Sequence, residues 1–246
     1  MSLKPKTLLI LFILSLVYMN CNKKNNLYKI KATIDGVKEN SKVVLFSYEE
    51  NKVIDSTTIK NGEFNFTGNV KYPFPAVISI DDDWLLMNFW VEKGEILINT
   101  DKQTIKKYEE DDIHPFVKAN KINSLSQRYN AFMKPLQDEK ALKYKQMKKG
   151  IISELDFKKQ IDTICDLAYS FLNKKENVDN YFSLSEIIGY KEGISKKDLN
   201  AYYIQLSNRL KKSPKGKVLN SFLTYKGVKV GEIAPNIITR DLKGKK

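Results

Sequence analysis

The sequence predicts an α+β protein, in which a small antiparallel β-sandwich or barrel comes first and an α-helical region follows. Apolar and polar residues alternate over much of the first half, which is typical of half-buried strands. In the second half, apolar residues recur every three or four positions, which is typical of helices. The charge changes with this pattern: residues 27–112 carry 11 basic and 16 acidic side chains, whereas residues 113–246 carry 27 basic and 13 acidic ones.

Residues 1–20 have the features of a secretory signal peptide. Lys4 and Lys6 precede an apolar run over 8–18, which is shorter than the roughly 20 residues of a membrane-spanning helix. Cys21 and the polar residues after it resemble a bacterial lipoprotein signal, in which that cysteine carries the lipid and residues 21–27 form a polar tether. Asn20 stands where that motif usually has Gly, Ala or Ser, so an ordinary thiol behind a conventional cleavage site is the alternative. The resemblance implies an exported, lipid-anchored protein of the cell envelope, at the periplasmic side or the outer membrane.

Residues 28–104 are expected to form the antiparallel β-domain. Every second residue is apolar over 28–34, which predicts the first strand. Pro73 and Pro75 interrupt the chain in the middle of the domain, and Lys93-Gly94 predicts a turn near its end. Further strands are predicted at 43–46, 53–54, 76–80, 85–91 and 95–99.

A β-hairpin around Asn61-Gly62 is the clearest local prediction. The runs 57–60 and 63–66 flank this pair, and both central residues of a type I′ turn need a positive φ. Asn and Gly adopt that conformation more readily than other residues. Lys60 and Glu63 are therefore expected to lie opposite each other.

Residues 113–226 are expected to form the helical region. Helical spacing places Ile164, Cys165 and Ala168 on one apolar stripe of a helix that follows Ser153. Ser153 with Asp156, and Ser195 with Asp198, predict N-caps. The other predicted helices cover 116–133, 135–149, 179–189, 199–210 and 215–225.

The composition of the 246 residues excludes several classes of protein. The chain contains 12 Phe, 13 Tyr and two Trp, which are too many aromatic side chains for a chain disordered throughout. Two Cys and one His exclude a disulfide scaffold, a four-thiolate site and most histidine-based metal sites. The sequence has no phosphate-binding loop, Gly-x-Ser-x-Gly motif or kinase signature. We therefore expect no cofactor, no metal and no catalytic residue in this chain.

A few single residues are candidates for chemistry or binding. Cys165 is predicted to be a buried small hydrophobe, and His114 is predicted to lie in an acidic, solvated linker. The candidate binding surface combines an acidic loop with two nearby tryptophans, although aromatic side chains at such positions also build sandwich cores. Its residues are Asp81, Asp82, Asp83, Trp84 and Trp90.

The basic second half does not predict nucleic-acid binding. Only three of the 42 basic residues are Arg, whereas bidentate recognition of phosphate and guanine favours Arg over Lys. An exported protein also rarely meets nucleic acid. We expect a solvated, Lys-rich helical surface for which anionic head groups are a partner.

The C-terminal residues resemble the opening of a thioredoxin-like domain of the thiol peroxidase and TlpA-like families. The resemblance rests on Val230-Gly231-Glu232-Ile233-Ala234-Pro235 and on Asp241-Leu242-Lys243-Gly244-Lys245. In those families a catalytic Cys-x-x-Cys helix follows some tens of residues later, and this chain contains no Cys-x-x-Cys pair. The resemblance implies that residues 227–246 begin such a domain, with the catalytic motif beyond Lys246.

The N-terminal region resembles the domain of unknown function 4369. The resemblance covers residues 27–99 and centres on the hairpin block from Ile54 to Ala76. It implies a secreted or lipid-anchored protein of Bacteroidota, with a β-domain and a helical segment ahead of a thioredoxin-like domain.

Two hypotheses about function follow from these observations. In the first, the chain is the non-catalytic region of a lipid-anchored thiol–disulfide oxidoreductase and supplies tethering, positioning and contact with a protein or peptide partner. In the second, it is a self-sufficient lipid-anchored binding or scaffold protein for a peptide or an envelope glycan.

Overall fold

The computed structural model describes residues 26–81, 85–108, 114, 116–118 and 121–225. The predicted α+β class is confirmed, with strands followed by helices. The chain divides into two compact units, one ending at Ser153 and the other beginning at Glu154. The predicted signal peptide, Cys21 and the stretch 227–246 lie outside the described residues.

The first unit contains two four-stranded sheets that share one apolar core. The first sheet has the strand order β4-β1-β7-β8, and the second has the order β3-β2-β5-β6. The strands are β1 (Leu27–Asp35), β2 (Lys42–Ser47), β3 (Lys52–Thr58), β4 (Glu63–Asn69), β5 (Phe74–Ile80), β6 (Leu85–Val91), β7 (Gly94–Asp101) and β8 (Val117–Lys118). All strands predicted from the alternation are present.

Alternation along β1 explains how the core forms. Tyr28, Ile30, Ala32 and Ile34 point inward and are at most 3% exposed, while the residues between them face solvent. Because successive side chains of a strand point to opposite faces, one face joins the core and the other stays polar.

The predicted hairpin is confirmed. Asn61 and Gly62 have φ values of 53° and 74°, as a type I′ turn requires. The N–H of Lys60 donates to the carbonyl of Glu63, and the N–H of Glu63 donates to the carbonyl of Lys60, both over 3.0 Å. Beyond this pair the strands diverge, so that β3 joins one sheet and β4 joins the other.

One pairing in the first sheet departs from the predicted antiparallel arrangement. β1 and β7 run parallel, with Tyr28 opposite Gly94 and Asp35 opposite Asp101. The other strand pairs are antiparallel. Alternation assigns each residue to a face but carries no information about which strand lies alongside, so this pairing could not be read from periodicity.

Among the described residues of the first unit, helix α1 (Lys102–Lys107) follows β7 and helix α2 (Lys121–Lys148) follows β8. The prediction of separate helices over 116–133 and 135–149 is wrong in two respects. Val117 and Lys118 form β8, which pairs with Leu97 and Ile98 of β7. The helix then runs without interruption through Pro135. The long helix therefore belongs to the same unit as the strands.

The start of α2 is fixed to the second sheet by buried polar groups. The side chain of Asn123 accepts a 2.8 Å hydrogen bond from the Trp90 N–H and donates one of 2.7 Å to the Trp90 carbonyl. The Glu92 carboxylate accepts from the N–H groups of Ile122 and Asn123 and from the Asn123 side-chain amide, over 3.3, 3.2 and 3.0 Å. These bonds satisfy donors that the first turn of a helix leaves unpaired.

The second unit is helical: α3 (Glu154–Leu172), α4 (Tyr181–Tyr190), α5 (Lys196–Gln205), α6 (Asn208–Lys211) and α7 (Pro214–Thr224). The predicted Ser195 cap is confirmed, because its hydroxyl accepts from the Asp198 N–H over 3.1 Å. The predicted single helix over 199–210 is wrong. Leu206 is extended and Ser207 caps a new helix by accepting from the Leu210 N–H. Within the described part of the chain, no helix is long and apolar enough to cross a membrane.

Candidate functional site

A polar groove of about 700 Å³ lies beside the hairpin in the first unit. Two strands of the first sheet, the end of β3 and the turn itself contribute to it. Its lining residues are Lys29, Lys31, Ala32, Thr33, Thr57, Thr58, Lys60, Asn61, Glu63, Phe64 and Asn65. It is the candidate functional site, hereafter the hairpin groove.

Strand register brings the lining side chains together. Lys31 lies opposite Asn65 and Thr33 opposite Glu63, because β1 and β4 are antiparallel neighbours. Residues at these positions face away from the core, since their neighbours Ala32 and Phe64 are buried. The Asn61 N–H donates to a Glu39 carboxylate oxygen over 2.9 Å and so holds the turn against the β1–β2 connection.

The charge of the hairpin groove is mainly positive. Three lysines and one glutamate line it, and Lys31 contacts Glu95 of β7 with 2.5 Å between Nζ and Oε1. The hydrogen bond from Lys31 and then its charge lower the pKa of the Glu95 carboxyl, with a smaller contribution from Lys29. Glu95 therefore stays ionised at neutral pH and forms an exposed ion pair with Lys31 beside the groove.

The chemical groups of the hairpin groove suit binding. Its described lining offers hydroxyl, amide and ammonium groups and a single carboxylate, with no Cys or His. Across the residues that the structure describes, no three His, Cys, Asp or Glu side chains are grouped so that they could hold a metal ion.

Most of the predicted binding surface around Trp84 lies outside the described residues, namely Asp82, Asp83 and Trp84. Trp90 is only 8% exposed, so its ring contributes little to a surface. Its backbone N–H donates to the side chain of Asn123. An oxygen of Asp81 accepts from the Lys42 N–H over 2.7 Å, which joins the residue after β5 to β2. Neither Asp81 nor Trp90 lines the hairpin groove.

The two other candidate residues are both buried. Cys165 lies in α3 and is 5% exposed, which confirms the prediction of a small core side chain. His114 is 2% exposed, so the prediction of a solvated position is wrong for this residue. Its ring lies 5.4 Å from that of Phe116, and the Gln127 side chain donates to its carbonyl over 2.9 Å. Aromatic packing therefore draws this part of the connection into the unit.

Sequence reasoning identified the hairpin but not the groove beside it. The groove is lined by outward-facing residues of three strands. The periodicity of the sequence does not predict which strands are neighbours, so it could not predict the groove. The available signal was the outward series Lys29, Lys31 and Thr33, which is polar throughout.

A known protein family matches part of the chain. Residues 28–123 match the family model described as Domain of unknown function (DUF4369). The resemblance predicted for 27–99 is thus confirmed, and the match reaches further, to the Asn123 contact at the start of α2. All lining residues of the hairpin groove lie inside the matched segment. No curated protein matches the chain.

Proposed function

We propose that this chain is the non-catalytic region of an exported, lipid-anchored thiol–disulfide oxidoreductase. The premise is the match of residues 28–123 to the domain of unknown function. Its role would be to tether and position a thioredoxin-like domain that begins near Val228, and to bind a partner. The observation that carries the proposal is the combination of this β-domain with the Val-Gly-x-x-Ala-Pro segment at 230–235.

The chemistry of the described residues supports a non-catalytic role. Cys165 is buried in an apolar stripe, whereas a reactive thiolate needs an accessible, electropositive position. Thiol–disulfide exchange also needs a second thiol within reach, and the sequence places its only other cysteine at position 21. Redox chemistry would therefore reside in the thioredoxin-like domain.

The test of the oxidoreductase proposal is to read the source locus beyond the codon for Lys246. An open frame that contains Trp-Cys-x-x-Cys supports the proposal. A stop codon directly after Lys246 contradicts it and favours the binding protein described below.

The lipid anchor is tested separately by metabolic labelling with an alkyne-bearing fatty acid in the native host. Wild-type protein is expected to carry the label and to partition into detergent, and a Cys21→Ala variant is expected to lose both properties. Cys165→Ala is the matched control and should keep the label. Equal labelling of wild type and the Cys21→Ala variant would contradict lipidation at Cys21.

The second candidate function is a self-sufficient binding protein, and the hairpin groove is the observation that favours it. Its hydroxyl, amide and lysine groups suit a polar, extended ligand such as a peptide. The test is fluorescence anisotropy with a pool of labelled peptides, using wild type and a Lys29→Gln/Lys60→Gln double variant. Loss of binding in the double variant supports the groove as the site, and equal binding by both proteins contradicts it.

A further inference from the structure

The second half of α2 is unusual in combining exposed apolar side chains with unbalanced positive charge. The buried residues of α2 end at Met133. Further along the chain, Leu142, Tyr144 and Ile151 are 57%, 47% and 66% exposed. They belong to the first unit, which ends at Ser153.

The lysines of this stretch have few acidic partners. Asp138 pairs with Lys134 over 3.2 Å and Glu139 pairs with Lys143 over 2.9 Å, and these are the last acidic residues before Glu154. Residues 140–153 contain five Lys and no Asp or Glu. The helix ends at Lys148, and Gly150, which has a φ of 70° and an N–H that donates to the Met147 carbonyl, turns the chain just before Ile151.

We propose that this segment, the lysine end of α2 (residues 140–153), lies on a membrane surface rich in anionic lipid head groups. Lysine ammonium groups are attracted to anionic head groups, and apolar side chains beside them enter the boundary between head groups and acyl chains. Tyr144 fits this position because its ring is apolar and its hydroxyl is polar, and the Lys148 ammonium lies 5.5 Å from its ring centre.

The position of α2 relative to the first strand supports this assignment. Tyr28 of β1 lies opposite Gly94 of β7, and Glu92, just before Gly94, binds the first turn of α2. The first strand therefore begins at the same end of the sandwich as the start of α2. Residues 21–27 span at most about 25 Å when fully extended, so an anchor at Cys21 would keep this end of the sandwich, with the start of α2, close to the membrane.

This inference rests on the proposed lipid anchor, and its test is made without that anchor. The protein is residues 22–246, which include every residue that the structure describes and lack Cys21. It is sedimented with vesicles of phosphatidylcholine alone and with vesicles containing 30% phosphatidylglycerol. Binding only to the anionic vesicles, weakened by 0.5 M salt, is the expected result. Absence of binding to both vesicles overturns the inference while leaving lipidation at Cys21 as it was.

Two sets of variants separate this surface from general attraction to basic protein. Lys145→Gln/Lys148→Gln/Lys149→Gln is expected to weaken binding roughly 100-fold, at about fivefold for each lysine. The matched control removes three exposed lysines of the other unit, Lys158→Gln/Lys175→Gln/Lys197→Gln, and should change binding less than threefold. Equal losses in the two triple variants overturn the assignment.

The apolar part of the contact is tested by Ile151→Asn, which changes a side chain that is already exposed. Its binding to anionic vesicles is expected to fall about fivefold, with an unchanged circular dichroism spectrum. Unchanged binding would overturn the entry of Ile151 into the head-group layer.

Discussion

Glu92 is a buried carboxylate whose role is structural. It is 5% exposed and accepts from two backbone N–H groups and one side-chain amide at the start of α2. Removing it leaves those donors buried without their acceptor, which costs about 1–3 kcal/mol. We expect Glu92→Ala to lower the free energy of unfolding of the first unit by about 2 kcal/mol, measured by urea denaturation followed by tryptophan fluorescence.

The matched control for Glu92→Ala is Glu176→Ala, which removes an exposed carboxylate. Its unfolding free energy should differ from wild type by less than about 0.5 kcal/mol. Equal stability of the Glu92→Ala variant and wild type would mean that these hydrogen bonds do not hold α2 in place.

Gly62 is the second position of the hairpin turn and has a φ of 74°. A Cβ at this position would lie 3.4 Å from the Ile34 carbonyl oxygen, and a side chain in the left-handed region costs about 1–2 kcal/mol. Gly62→Ala should therefore destabilise the first unit by about 1 kcal/mol in thermal unfolding. Gly189→Ala, in α4 with open space around the added Cβ, should be neutral or stabilising by about 0.5 kcal/mol. A stabilising Gly62→Ala would contradict the type I′ turn.

At the scale of elements, Asp101 makes the cap of α1 sensitive to acid. Hydrogen bonds from the Thr104 hydroxyl and backbone N–H lower the pKa of the Asp101 carboxyl below its usual value. A carboxyl group whose pKa is lower in the folded than in the unfolded state stabilises the fold at pH values above its unfolded-state pKa. This stabilisation is lost as the pH falls through the folded-state pKa. We expect the urea midpoint of wild type to fall more between about pH 5 and pH 2 than that of Asp101→Asn, which keeps a capping side chain. Parallel pH profiles would contradict this.

Pro135 weakens the middle of α2. Proline has no N–H, so the carbonyl of Ala131 lacks its usual helical donor at this position. Pro135→Ala is expected to restore that bond and to slow amide hydrogen exchange over 136–148 by at least tenfold. Ala141→Pro is the opposite change and should speed exchange over the same residues. Exchange that is unchanged in Pro135→Ala would show that the proline does not limit the stability of this half of the helix.

Elements with a local signal were predicted from the sequence, and elements defined by distant contacts were not. Asn61-Gly62 specifies its turn through the φ preferences of two adjacent residues. The predictions at Pro135 and Ser207 failed in opposite ways. Pro135 was taken as a helix boundary but lies inside α2. Ser207 was placed inside a helix but caps the start of a new one. Tertiary contacts decide between these outcomes, because proline and serine occur both inside helices and at their ends.

The candidate site and the start of α2 depend on contacts between residues far apart in sequence. Asn123 meets Trp90 through hydrogen bonds across a separation of 33 residues, and no periodicity in either segment predicts this. The hairpin groove likewise follows from the pairing of β1 with β4, which the alternation of β1 leaves open. The sequence was sufficient to predict which side chains of a strand face the core, but it was not sufficient to predict which strands pair with each other.

At the scale of the whole molecule, the boundary between the two compact units falls at Ser153 and Glu154. Residues 148–151, close to this boundary, are exposed, and Gly150 among them has a positive φ; both are features of a protease-sensitive connection. In brief trypsin digestion we expect the first cut among the described residues to follow Lys148 or Lys149. Mass spectrometry of the fragments identifies the site, and a Lys148→Gln/Lys149→Gln variant should lose that cut. A first cut inside the strands of the first unit would contradict the boundary.

The parallel pairing of β1 with β7 sets the order in which the molecule can fold. A ribosome delivers Tyr28 long before Gly94, its partner across the sheet, so β1 waits for most of the domain to be synthesised. The hairpin of β5 and β6, whose partners are close in sequence, forms earlier because its loop is short. If the chain crosses a membrane through a narrow translocon, β1 reaches the far side before β7, its parallel neighbour in the sheet. The domain therefore completes its first sheet only after β7 and then β8 have followed.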